Sequence, residues 1–76
     1  MTDYENINME IAEYFTFLDM LRESGVTNMY GASPYLEQEF NMKKLDARKV
    51  LSAWMQTFDE ASADERAEKA INEGLL

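Results

Sequence analysis

Apolar residues in the first third of the chain recur at three- and four-residue steps: Ile7, Ile11, Tyr14, Phe15, Leu18 and Leu21. At about 100° per residue this spacing stacks them along one side of a helix. The sequence therefore predicts a helix from Ile7 to Ser24, stopped by Gly25 in the left-handed conformation. Met9, Phe17 and Met20 fall on roughly the opposite side of that helix, where water would otherwise be expected. Such a second stripe requires a partner, either the chain's own tail or another subunit. A core this small is marginal alone, so the stripe predicts a homodimer or larger homo-oligomer with Met9, Phe17 and Met20 at the interface.

From Val26 to Ala32 no period is sustained, and Thr27, Asn28 and Gly31 mark a connector anchored by Met29 and Tyr30. Ser33-Pro34 signals a helix start: the serine hydroxyl can accept from a free amide, and proline at the first helical position loses no hydrogen bond. The short helix from Pro34 to Phe40 ends at Asn41, a residue that tolerates the left-handed conformation, with Met42 as an apolar anchor. A third helix is expected from about Lys43 to Phe58, with Ala47, Val50, Leu51, Trp54, Met55 and Phe58 on its inner arc. Leu45, Arg48, Lys49, Ser52, Ala53 and Gln56 then occupy the outer face. Ser62 and Glu65 make a capping box for a last helix through about Glu73, stopped by Gly74. Its stripe of Ala63, Ala67, Ala70 and Ile71 is thin, which predicts that residues 59–76 form an acidic helix or tail, lost more easily than the bundle of residues 1–58. These elements, with no strand pattern, predict an all-α fold: a small three- to four-helix bundle.

The 76-residue length allows one domain. The chain has no cysteine and no histidine, so disulfides, the usual zinc sites, thiol nucleophiles and imidazole catalysis are excluded. No enzyme, metal, cofactor or small-molecule substrate is expected. Gly31-Ala32-Ser33 lacks the closing glycine of a nucleophile elbow. Asp59-Glu60 and Asp64-Glu65 lack the alternation and the glycine of a calcium loop. The amino-terminal residues have no basic start or apolar run, and no stretch approaches the roughly 20 apolar residues that span a bilayer. A cytoplasmic protein without a membrane partner is the expectation.

Fifteen acids against seven bases give a net charge of −8. The bases are unevenly placed. Lys43 to Lys49 holds four of the seven with one acid, a local +3, leaving three bases against fourteen acids, −11, for the rest. Residues 34–51 resemble a helix-turn-helix unit, with Leu36 and Phe40 on the first helix, Asn41-Met42 as the turn, and Ala47 and Val50 on the second. Glu37 departs from that pattern, standing where a small residue normally lets the helices approach. The resemblance implies that the positive cluster begins a recognition helix. Lys43 and Lys44 would then hold phosphates, while Arg48, Lys49, Ser52 and Gln56 reach base edges. A solvated face paired with Glu37, Glu39 and Asp46 is the plainer alternative. A third possibility is an acidic module that docks on a basic host protein, its carboxylates standing in for phosphates. DNA or a host protein is thus the expected partner.

The longer string from Leu21-Arg22-Glu23-Ser24-Gly25 through Thr27-Asn28-Met29-Tyr30-Gly31, continuing by Pro34-Tyr35-Leu36 to Val50-Leu51-Ser52-Ala53-Trp54-Met55, resembles a family of small phage proteins. That resemblance implies a virus-encoded protein acting in the cytoplasm of an infected bacterium, and it implies no known activity.

Overall fold

The computed structural model describes residues 3–25, 28–58 and 62–76, with side chains from Glu10 onward. Four helices form: α1 (Asp3–Ser24), α2 (Ser33–Phe40), α3 (Lys44–Gln56) and α4 (Ala63–Asn72), with a single 3-10 turn at Met29–Gly31. No strand occurs among the described residues, and the fold is a small all-α bundle.

The helix ends follow local chemistry. Gly25 stops α1 at φ 70°, Asn41 closes α2 in the left-handed region at φ 53°, and Gly74 follows α4 at φ 74°. At Asn41 the turn is sealed by the Met42 amide, which donates to the Glu37 carbonyl at 3.1 Å. At the start of α4 the capping box is complete: Ser62 Oγ accepts from the Glu65 amide, and the Glu65 carboxylate accepts from the Ser62 amide. Ser33 behaves otherwise. The cap of α2 is Ala32, whose carbonyl accepts from the Tyr35 and Leu36 amides, and no side chain caps the helix. Starting one residue early puts Ser33 inside the first turn, which leaves its hydroxyl unspent.

α1 is the spine of the bundle, packing most extensively on α4 and also on α3, while α2 packs on α3. Its inner residues Ile11, Phe15, Leu18 and Leu21 are buried with Leu36 of α2, Ala47, Val50, Leu51 and Trp54 of α3, and Ala67 and Ala70 of α4. Ile7 and Met9 have side chains outside the described set. Phe17, expected on a second stripe, finds a partner within the chain. The Phe40 ring of α2 stands edge-on to both Tyr14 (4.8 Å) and Phe17 (5.5 Å), joining α2 to α1. Met20 remains 66% exposed.

Two assignments on α3 change. Ala53, placed on the outer face by helical phase, is fully buried, in a helix on which α1, α2 and α4 all pack, so that more of its circumference is covered than one inner arc. Phe58, placed on the inner arc, lies beyond the helix end and is 43% exposed.

The decisive contact of the bundle is one that apolar patterning misses. Arg66 of α4 is only 2% exposed and stands on the stripe of Ala63, Ala67 and Ala70. Its Nε donates to the Thr57 carbonyl at 3.1 Å, Nη2 to the Trp54 carbonyl at 2.9 Å, and Nη1 to Asp19 Oδ1 at 3.0 Å. The same Asp19 oxygen accepts from Trp54 Nε1 at 2.9 Å. The guanidinium thus caps the carboxyl end of α3, and one carboxylate oxygen of α1 meets groups from α3 and α4. Phe15, Trp54 and Phe58 surround the cation, with ring centroids 5.0–5.3 Å away.

Candidate functional site

Lys43, Lys44, Arg48, Lys49, Ser52 and Gln56 are all exposed, on one helix and its cap residue. The α2–α3 turn sets this arrangement, since Leu36, Ala47 and Val50 are buried together and fix the phase of α3. Ala47, Val50, Leu51 and Trp54 turn inward, so the cations between them turn outward.

Among the described residues the one ion pair is Arg66 with Asp19. Lys43, Lys44, Arg48 and Lys49 therefore pair with none of Glu37, Glu39 and Asp46, although a solvated face predicts such pairs. Ser52 and Gln56 bond to each other, Gln56 Nε2 donating to Ser52 Oγ at 3.0 Å, which leaves the serine O–H and the glutamine carbonyl to face outward.

The local electrostatics of α3 are unfavourable to its own stability. Its cap is Lys43 with no side-chain hydrogen bond, its first residue is Lys44, and Asp46 is the one acid in its first turn. A helix start favours acids by about 0.3–1 kcal/mol each and disfavours cations correspondingly. Two lysines at this end cost stability and concentrate positive potential on a surface that is otherwise acidic.

Leu45, 70% exposed, lies on the same face. Tyr30 projects from the 3-10 turn with 84% of its surface exposed and borders a hollow with Arg48 and Ser52 of this face. It escapes sequence patterning because an aromatic residue in a connector is expected to anchor the loop. The turn is nonetheless well defined: the Tyr30 amide donates to Asn28 Oδ1 at 2.8 Å, and the Gly31 amide to the Asn28 carbonyl at 2.8 Å.

The buried Arg66–Asp19–Trp54 cluster is not part of this surface. Its three donor directions end on protein oxygens, so it is spent on holding helices together. Among the described residues no three acids are placed to hold a metal ion, and no helix is long and apolar enough to cross a membrane. Asp59 and Glu60 lie outside the described residues. No family model, curated protein or solved structure matches the chain.

Proposed function

We propose that the chain is a small non-enzymatic binding module in which α2, its left-handed turn at Asn41 and α3 act as a helix-turn-helix unit on DNA. The observation that carries this reading is the set of four exposed cations, none ion-paired within the described structure, at the beginning of α3. Lys43 and Lys44 hold phosphates, and Arg48, Lys49, Ser52 and Gln56 face the bases. A phage origin and the bacterial cytoplasm as its place of action belong to the same reading and are supported by the sequence resemblance.

Fluorescence anisotropy with random-sequence and host-genomic duplexes at low salt tests it. The Lys43→Glu, Lys44→Glu double variant should lose affinity across all sequences. Arg48→Ala or Lys49→Ala should weaken binding by about 1–3 kcal/mol where a base is contacted, or reduce the salt slope by about one where a phosphate is contacted. Unchanged affinity in all these variants refutes the reading.

A second reading is favoured by the exposed acids on the other helices: Glu13 and Glu23 of α1, Glu39 of α2, and Asp64, Glu65 and Glu68 of α4. In it the protein docks by its acidic surface on a basic host protein. The charge-reversed lysine variant would then hold that partner as well as the parent chain does, or better.

A further inference from the structure

Between the turn that carries Tyr30 and the outer face of α3 lies an open hollow of about 310 Å³, bordered by Tyr30, Ser33, Arg48, Leu51, Ser52 and Met55. Its floor is apolar, formed by buried Leu51 and half-buried Met55. Its rim is polar, and the polar groups are available. The Ser33 hydroxyl caps nothing, Ser52 Oγ accepts from Gln56 and keeps its own proton to donate, and the Arg48 guanidinium has no carboxylate partner within the described structure. The Tyr30 ring stands beside them, exposed over most of its surface on a turn whose backbone is pinned by Asn28.

We infer that this hollow receives an unpaired nucleobase from a single-stranded nucleic acid. The base stacks on Tyr30 above Leu51 and Met55, its edge meets the hydroxyls of Ser33 and Ser52, and its phosphate lies against Arg48. The inference rests on the reading of α3 as a nucleic-acid surface and changes the form of nucleic acid preferred. A duplex presents base edges in its grooves and keeps base faces stacked, whereas a single strand offers the faces. The charge distribution favours the same answer. A local charge of +3 against −11 elsewhere limits what phosphate neutralisation can contribute, while stacking on an aromatic ring is independent of net charge.

The test is anisotropy of labelled single-stranded oligonucleotides, of the matching duplex and of a labelled mononucleotide, with the full chain and with Tyr30→Ala and Tyr30→Phe. Tyr30 is 84% exposed, so both variants should keep the parent melting temperature. The expected result is tighter binding of the single strand than of the duplex, about a tenfold or greater loss in Tyr30→Ala, retention in Tyr30→Phe, and a salt slope shallower than about 3 for at most four phosphate contacts. Mononucleotide binding as tight as the strand's, with the same Tyr30 dependence, supports the hollow and identifies a free nucleotide as its source. Duplex binding at least as tight as single-strand binding and indifferent to Tyr30→Ala overturns the inference and leaves the duplex reading standing. Strand binding that needs Tyr30, in a chain that binds no duplex, supports the inference and overturns the duplex reading. If neither strand, duplex nor mononucleotide binds, both fail.

Discussion

Replacing Arg66 by alanine should remove much of the stability of the domain. The guanidinium is 2% exposed and makes three hydrogen bonds, to the Thr57 and Trp54 carbonyls and to Asp19. Hydrogen bonds to charged groups contribute about 1.5–3 kcal/mol each, but they share one side chain and do not add. Removing one member of a buried ion pair costs about 3–5 kcal/mol, a closer guide here, discounted because the Asp19 side chain is 36% exposed. The loss also leaves the Thr57 carbonyl without its donor and opens space among Phe15, Trp54 and Phe58. About 3–4 kcal/mol is the expected total. A chain of 76 residues has roughly 4–11 kcal/mol in all, and each kcal/mol corresponds to about 4–8 °C in Tm at this size. Thermal circular dichroism of Arg66→Ala should therefore show a fall of at least about 12 °C, with faster amide exchange in α4 and at the end of α3. Asp19→Asn keeps an oxygen for Trp54 Nε1 and Arg66 but removes the carboxylate charge from a buried cation, and should cost about 1–3 kcal/mol, less than Arg66→Ala. An Arg66→Ala chain melting within about 5 °C of the parent would refute the assignment of Arg66 as the tie between α4 and α3, and residues 62–76 would then be the separable tail that their thin alanine stripe suggests.

Tyr14 should give the domain an alkaline limit. Its phenol is pushed above the ordinary value of 10.0 by burial first, then by the charges of Glu10 and Glu13, by a hydrogen bond to Glu10, and by Asp46. The folded state thus holds this proton more tightly than the unfolded state, so the contribution is whole below about pH 10 and is lost as pH rises through the folded value. Urea midpoints should fall across that range, and Tyr14→Phe should flatten the fall; an equally steep fall in the variant counts against it. Asn41→Ala places a Cβ-bearing residue without the amide side chain at φ 53° and should cost about 1 kcal/mol, whereas Asn41→Gly should be neutral or slightly stabilising in the same melts. Self-association is proposed to run through the exposed Met20 and the half-buried Phe17 beside it, which share a shallow hollow with Phe40. Sedimentation should show a dimer or larger assembly that Met20→Glu weakens, and a parent chain that stays monomeric at high micromolar concentration excludes it.

The elements themselves were legible in the sequence because each depends on residues a few positions apart. The three- and four-residue steps of Ile11, Phe15, Leu18 and Leu21 define the buried side of α1, and Asn41, Ser62 with Glu65, and Gly74 end or begin helices through backbone groups within five residues. The outward turn of Arg48, Lys49, Ser52 and Gln56 was equally legible, since helical phase dictates it once Ala47, Val50 and Leu51 are buried, whereas Lys43 and Lys44 share the phase of Ala47 and are exposed at the very start of the helix. What helical phase could not reach was anything decided by how the helices meet. Ala53 is buried in a helix on which three others pack, and the Ser33 hydroxyl is left out of the cap because α2 begins one residue early. Tyr30 was left on the surface by a turn that packs its neighbour Met29 instead. Arg66 is the clearest case: in an acidic stretch it looks like a solvated charge, and its partners lie 9, 12 and 47 positions away along the chain. Burying a cation is favourable only where carbonyls, a carboxylate and aromatic faces converge on it, and that convergence exists only after α1, α3 and α4 have come together.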